Sequence, residues 1–357
     1  MKIVIAAGGT GGHLFPGLAV AEVLRNRGHE VLVLISEKEI DTLATQGRSE
    51  FRFEKLPGMG MPSVVSPQMV PFISRFVSGV LRCKKIYSDF KPDTVLGMGG
   101  FTSTAPILAG KWLGKPVFVH ESNAIPGKAN RLNGRLVTAV LLGFAECSAH
   151  FPKTVCIQTG TPVRSSLRQP VEKRKSVLAF GLDPALRTLL VMGGSQGAQG
   201  INRAMAGAAA ALSGGGLQVI HLAGRQDGDS LREAYRAAGV PAVVADFCHH
   251  MEEAYAAADL CVARSGAASL TEISHFGLPS ILVPYPHAAE DHQTLNALLF
   301  SENGAGKVWK ETEIEGVALG REIQRLMSSS EELRAMSARS REHAVMNAAE
   351  NVADTQI

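Results

Sequence analysis

Short apolar runs rich in β-branched residues alternate along this chain with longer segments whose apolar positions recur at helical spacing. A run that is apolar at every position suits a strand buried on both faces, so the alternation predicts parallel sheets covered by helices on both sides. In the first half, strands are expected near Lys2–Ala7, Glu30–Ile35, Asp93–Leu96, Pro116–His120 and Ala139–Leu142. The rhythm restarts after Thr159–Arg164, with strands expected near Leu189–Met192, Val219–Leu222, Asp259–Val262 and Ser280–Val283.

Each series opens with a strand, a glycine-rich turn and a helix: IVIAAGGTGGHLFPGLAVAEVL in the first and LLVMGGSQGAQGINRAMAGAAAAL in the second. The fold class this implies is α/β, with two Rossmann-like domains facing a cleft and ligands at the carboxyl ends of the strands. The domains are expected at 1–162 and 163–336, with a helix from about 337 to 357 packing back on the first. At 357 residues, 45% of them hydrophobic, the chain has the apolar material for two such cores.

Charge and cysteine narrow the function classes. A formal net charge of +3 with no block of like charges argues against a sequence-independent hold on nucleic acid, while leaving an anionic membrane face open. The five cysteines form no CxxC pair, which speaks against a disulfide framework or structural zinc and for a reducing compartment. The opening MKIVIAAGGTGGH is too soon interrupted by glycine for a signal peptide, and no run approaches the ~20 apolar residues of a membrane span.

The turn Gly8, Gly9, Thr10, Gly11, Gly12 lets backbone approach a ligand closely, and the helix behind it offers unpaired N–H groups with partial positive charge. The same holds for Gly193, Gly194, Ser195, Gln196 and Gly197, where Ser195 adds a hydroxyl for a phosphate; a third cluster, Gly97 to Gly100 in GMGGF, ends another strand. Neither helix-opening loop matches the dinucleotide or triphosphate patterns, and any one of them alone reads equally as a packing turn.

Seven motifs in order lift the reading above single loops: GGTGGHLFPGLAVA, GMGGF, HESNAIPGKANR, GTPVR, GGSQGAQGIN, ARSGAASLTE and DHQTLNA. With them the chain resembles, over nearly its whole length, the bacterial MurG family. Members transfer N-acetylglucosamine from UDP-N-acetylglucosamine to undecaprenyl-diphospho-muramoylpentapeptide (lipid I), completing lipid II for peptidoglycan. The resemblance implies the two-domain GT-B fold, with the UDP-sugar on the second domain and the acceptor on the first.

It also implies roles for single positions. Glu272 would accept the ribose hydroxyls, Ser195 meet the diphosphate, Arg164 lie at the uridine end, and the main chain at Cys248 read uracil. Ala267, Ala268, Ser269, Leu270 and Thr271 would touch the donor chiefly through backbone, and Gln293, beside His292, would bond sugar hydroxyls. Thr10, Gly11, Gly12 and Asn123 complete the expected donor contacts. His13 is the leading candidate for general base and an acceptor contact, since an imidazole titrates near neutral pH. Glu121 is the competing carboxylate, with the positioning of its neighbours as the plainer role; His120 is expected to be structural, and Asn130 and Asn202 are expected as second-tier acceptor or loop contacts. Each has a plainer alternative: a first-turn glutamate complements a helix dipole, an arginine beside a linker pairs across it, and a histidine at a helix start only orients its ligand. The chain departs from the family at Phe101, where several members have tyrosine, and at Ser122, where glutamine is common.

The implied reaction is an inverting displacement by the muramoyl 4-hydroxyl. With no DxD-like pair at a strand end, neither an obligatory metal nor any other cofactor is expected. Met59–Tyr87 mixes Met61, Val64, Val65, Met69, Phe72, Ile73, Phe76, Val77, Val80 and Leu81 with Arg75, Arg82, Lys84 and Lys85. That mixture suits an anionic membrane surface, although Ile73, Phe76, Val77 and Val80 repeat at helical spacing and read equally as a core face. The expected setting is therefore peripheral, on the cytoplasmic face of the inner membrane, with cell-wall synthesis proteins as further partners. Two rivals remain at this stage: a UDP-N-acetylglucosamine 2-epimerase, and a catalytically silent, membrane-associated scaffold that binds the UDP-sugar.

Overall fold

A computed structural model of the protein describes residues 1–38, 41–42, 45, 48–57, 60, 62, 66–194 and 197–357. The chain forms two compact units, Met1–Arg164 with Asn347–Ile357, and Ser165–Met346.

The first unit is built, among the described residues, on seven parallel strands: β1 (Lys2–Ala6), β2 (Glu30–Ser36), β3 (Arg52–Leu56), β4 (Thr94–Gly97), β5 (Val117–Glu121), β6 (Ala139–Leu142) and β7 (Val155–Gln158), in the order β3-β2-β1-β4-β5-β6-β7. Ile5 of β1 stands opposite Val33 on one side and Leu96 on the other. Successive residues of a strand point to opposite faces, and β1 divides accordingly. Ile3 and Ile5 join a core with helix Gly11–Asn26, while Val4 and Ala6 join a second core with helices Met69–Phe90 and Phe101–Trp112. Burial on both faces is why these strands read as unbroken apolar runs.

The second unit repeats the plan with six parallel strands among the described residues. They are β8 (Arg187–Met192), β9 (Leu217–Leu222), β10 (Ala242–Ala245), β11 (Leu260–Ala263), β12 (Ser280–Leu282) and β13 (Gly306–Val308), ordered β10-β9-β8-β11-β12-β13. Helices Gln199–Leu212 and Gly316–Ser328 close one face through Ile201, Met205, Leu319 and Ile323. In each sheet the chain turns back beside its first strand, so the strand order reverses between β1 and β4 and between β8 and β11. Crevices at the carboxyl ends of such strands are where open α/β sheets bind ligands.

Four strands, β3, β7, β10 and β13, fall outside the pattern-based expectation, and they are the four sheet edges. An edge strand has one neighbour and a less covered face, so its sequence need not be apolar throughout. Two further expectations are corrected. The returning C-terminal segment starts at Asn347, not Ser337, because Ser337 lies in helix Ser330–Glu342, whose Leu333 and Met336 enter the second unit's core. Helix Ala348–Asp354 packs into the first unit through Val352 and Ala353, and Arg27 pairs with Asp354 at 2.6 Å. Second, Ile73 and Val77 are not a core face: they are 52% and 49% exposed, and the buried side of helix Met69–Phe90 is Val80, Cys83, Ile86, Tyr87 and Phe90. Met59, Met61, Val64 and Val65 lie outside the described residues. Among the described residues no helix is long and apolar enough to cross a membrane.

The first helix seats on its sheet through Gly17, where a Cβ would lie 2.4 Å from Ala7 Cβ and 3.0 Å from Met98 Cγ. Gly17→Val is expected to destabilise the protein by about 1–3 kcal/mol, read as a lower urea midpoint; an unchanged midpoint contradicts this packing.

Candidate active site

At the end of β1, the turn Gly8–Gly9 is fastened by a residue that sequence reasoning missed. Asp41 is fully buried, and its Oδ2 accepts from Gly9 N (2.8 Å), Ser36 N (3.0 Å) and the Ser36 hydroxyl. No spacing distinguishes it from a surface acid. Thr10 then precedes helix Gly11–Asn26 in extended conformation, with no side chain capping the helix. The N–H groups of Gly11 and Gly12 therefore remain available to a polar ligand group.

His13 lies against the turn that ends β4. A Cβ at Gly99 would sit 3.1 Å from His13 Nε2 and 3.1 Å from Asn130 Nδ2, and Gly99 and Gly100 have φ of +104° and +70°, so space and backbone both demand glycine. His13 Nδ1 is 3.2 Å from the Thr10 hydroxyl. Burial pushes the imidazole down to about 4, against the opposing pull of Asp41. Near neutral pH His13 is thus an uncharged ring.

The loop after β5 is organised by Glu121. Its Oε1 accepts from Asn123 N (2.9 Å) and Asn123 Nδ2 (3.0 Å), and its Oε2 from Asn130 Nδ2 (2.9 Å) and Gly127 N (3.2 Å). Burial raises this carboxyl's pKa, and the four donors work against that shift. Four N–H bonds leave Glu121 little freedom to take a proton from a substrate, so the structure gives this candidate base a positioning geometry. The Asn130 amide nitrogen is held in the same way, since Nδ2 also donates to His120 O at 3.0 Å, while its Oδ1 has no partner among the described residues. His120 is buried, Nε2 donating to Gly160 O (2.9 Å) and Nδ1 accepting from Ser122 Oγ (3.3 Å). Phe101 packs edge-on against Phe72, with ring centroids 6.0 Å apart. Arg164 falls at the end of the first unit, its guanidinium 4.6 Å from the centre of the Phe15 ring.

In the second unit, Gly197 stands between β8 and helix Gln199–Leu212. Gly197 has φ +76°, and a Cβ there would lie 2.3 Å from Ala223 O. Ser195 and Gln196 lie outside the described residues. Asn202, on the following helix, links that helix to the segment after β9. It is 3% exposed, its Nδ2 donates to Ala223 O (2.8 Å) and Asp227 Oδ2 (2.7 Å), and its Oδ1 accepts from His221 Nε2 (3.0 Å). His221 Nδ1 accepts from the Tyr235 hydroxyl at 3.0 Å.

Beyond β11, helix Ala267–Phe276 also starts without a side-chain cap. Ala267, Ala268, Ser269 and Leu270 form its first turn, and Thr271 Oγ1 donates to Ala267 O at 2.9 Å. Glu272 stands in its second turn, half-buried, and Oε2 accepts from the hydroxyl of Tyr255 at 2.8 Å. Tyr255, also unread in the sequence, is buried and stacks on Phe276. Gln293 opens helix His292–Ser301, Oε1 accepting from Tyr285 N at 3.0 Å. Glu290 and Asp291 hold φ of +55° and +51° just before it, a left-handed turn that non-glycine residues adopt at a cost. Cys248 is half-buried, in the loop after β10. Among the described residues, no group of three or more His, Cys, Asp or Glu is placed to hold a metal ion.

Uncapped helix starts at both strand-order reversals, one bearing a fixed carboxylate, suit a nucleotide-sugar enzyme. The family models agree: residues 3–142 match the N-terminal domain of glycosyltransferase family 28, and residues 188–352 its C-terminal domain. The protein is a glycosyltransferase of the GT-B fold. A Geobacter sulfurreducens protein named UDP-N-acetylglucosamine–N-acetylmuramyl-(pentapeptide) pyrophosphoryl-undecaprenol N-acetylglucosamine transferase is 36% identical, the match covering 100% of this chain and 98% of the relative. The crystal structure of Acinetobacter baumannii MurG superposes with a TM-score of 0.76 at 27% identity, covering 99% of this chain and 98% of that one. The chain belongs to the MurG family. A UDP-GlcNAc 2-epimerase from Neisseria meningitidis has a TM-score of 0.71 at 15% identity, with 99% of each chain covered, a likeness of fold alone.

Burial holds His13 and His120 down to about 4 and His221 to about 3, from an ordinary 6.5. These rings stay neutral in the folded state while the unfolded chain takes up protons, so their contribution to stability is present above pH 6.5 and lost as the pH falls toward 4. Glu121, shifted upward, works the other way. Denaturant titrations should show His221→Gln losing less stability than wild type over this range; equal losses contradict the buried neutral ring.

Proposed function

We propose the following division of labour for the family reaction in this chain. As a MurG-family enzyme, the protein transfers N-acetylglucosamine from UDP-N-acetylglucosamine to the muramoyl sugar of lipid I, forming lipid II. The second unit holds the donor: Glu272 takes the ribose hydroxyls, the loop from Gly193 with the helix behind it takes the diphosphate, the main chain at Cys248 takes uracil, and Gln293 takes the sugar. Arg164 and Asn123 complete the donor contacts. The carrying observation is the pair Tyr255–Glu272. A buried phenol donating to one carboxylate oxygen orients the group for the two adjacent hydroxyls of a ribose.

The muramoyl 4-hydroxyl oxygen attacks the anomeric carbon as the bond from that carbon to the UDP oxygen breaks, giving inversion. The hydroxyl proton passes to His13, and the negative charge that forms on UDP meets helix N–H groups, which favour it more in the transition state than in the ground state. Glu121 positions Asn123 and Asn130 for this step.

The membrane reading is supported by helix Met69–Phe90, where Val70, Ile73, Val77 and Leu81 are 74%, 52%, 49% and 56% exposed on a face shared with exposed Arg82 and Lys85. Nearby, Lys84 Nζ sits 3.7 Å above the centre of the exposed Trp112 ring. This surface rests on anionic lipid and lets a polyprenyl carrier approach.

With labelled UDP-N-acetylglucosamine and a lipid I analogue, labelled disaccharide lipid is expected; epimerised free sugar, or binding without turnover, contradicts the assignment. His13→Ala should lower kcat about 100- to 10,000-fold with UDP affinity unchanged, and parallel losses of both would reassign His13 to binding. The triple change Ile73→Glu, Val77→Glu, Leu81→Glu should abolish flotation with phosphatidylglycerol vesicles while detergent-solubilised substrate is still turned over. Retained flotation contradicts the membrane face.

A further inference from the structure

The second unit holds a cavity that the transfer reaction does not use. Its volume is about 890 Å³, in the range of pockets that enclose small ligands, and every lining residue falls within Ser165–Met346. Arg187 opens β8, Asp259 directly precedes β11 and Pro279 directly precedes β12, so the cavity lies at the amino ends of the strands. The Gly193 loop and the start of helix Ala267–Phe276 stand at the opposite, carboxyl ends.

Its charges are unbalanced. Arg168, Lys173, Arg187, Arg334 and Arg341 line it with one carboxylate, Asp259. That carboxylate is already engaged, by Lys173 Nζ at 2.5 Å and by Thr188 N at 2.9 Å. Arg187 donates to Ser330 Oγ (2.6 Å), Arg334 to Ser330 O (3.1 Å) and Arg341 to Ser337 Oγ (3.0 Å). Hydroxyls and carbonyls satisfy these donors without neutralising them. Guanidinium groups collected in one concavity select phosphoryl oxygens, which accept paired N–H bonds.

We propose that this cavity binds a phosphate ester, its phosphoryl group among Arg187, Arg334 and Arg341, and that its occupancy sets donor affinity. The route is short and lies within the second unit. Tyr255 and Phe276, stacked with centroids 5.2 Å apart, both line the cavity, and the Tyr255 hydroxyl holds Glu272. His275 and Glu272 share helix Ala267–Phe276, one at the cavity and the other at the donor end. The coupling rests on the assignment of Glu272 to the donor ribose; the binding does not.

Calorimetric titration of the full chain with sn-glycerol 3-phosphate, without UDP, should show saturable binding that Arg334→Glu weakens about tenfold. Arg334 is exposed, so this change leaves the fold intact, as an unchanged melting temperature would verify. Absence of saturable binding, or equal binding by the variant, overturns the site. With the ester bound, the Kd of UDP should shift about fivefold, and Tyr255→Phe should keep ester binding while losing the shift. An unmoved UDP affinity in wild type, or a shift that survives in Tyr255→Phe, overturns the coupling. Failure of wild type to bind UDP at all would instead refute the donor assignment and leave the ester titration standing. Phosphatidylglycerol vesicles that displace the bound ester identify a lipid headgroup as the source of the phosphate; vesicles that do not displace it identify a soluble ester.

Discussion

The first turn of a helix has N–H groups that its own backbone cannot satisfy, and this constraint organises the molecule. In both units such a turn stands where the strand order reverses, after β1 and after β8, and helix Ala267–Phe276 supplies a third beyond β11. The helices beginning at Gly11 and Ala267 have no side-chain cap. Groups left unpaired in this way are favourable only if something polar or anionic arrives, and a nucleoside diphosphate sugar offers both kinds of group. The rest of the fold fixes these helix starts in place. Asp41 fastens the first glycine turn from beneath, and Gly197 lets its loop close against Ala223.

How far the sequence displayed this depends on burial. Interior strands such as β1 and β8 contribute side chains to covered faces on both sides, and their unbroken apolar runs announce them. The edges β3, β7, β10 and β13 carry polar or short sequences and stay silent, because a strand with one partner is under weaker compositional demand. Helix Met69–Phe90 shows the converse difficulty. It carries apolar residues on two sides, and periodicity alone cannot tell the side that packs, at Val80, Cys83 and Tyr87, from the exposed one at Ile73 and Val77.

Site residues divide along similar lines. Motif residues with a backbone role, Gly11, Gly99 and Ala267 among them, were legible because the turns that need them leave a pattern. Asp41 and Tyr255 were not, since each acts across the tertiary structure, on Gly9 and on Glu272, through distances that leave no trace in spacing. Asn202 and Glu121 show the same reach across the fold: their polar atoms face inward and bond neighbours distant in sequence or in the next turn. Burial also bears on the base role proposed for His13, since its ring is uncharged near neutral pH because its surroundings penalise the cation.

The central claim is that UDP is received by the second unit's helix starts. Amide hydrogen exchange with and without UDP tests it most directly. The account predicts slowed exchange concentrated at residues 193–203 and 266–273, where N–H groups would acquire oxygen partners. Protection confined to the first unit, at Gly9–His13 or Gly99–Thr102, with none in those two segments, would contradict it.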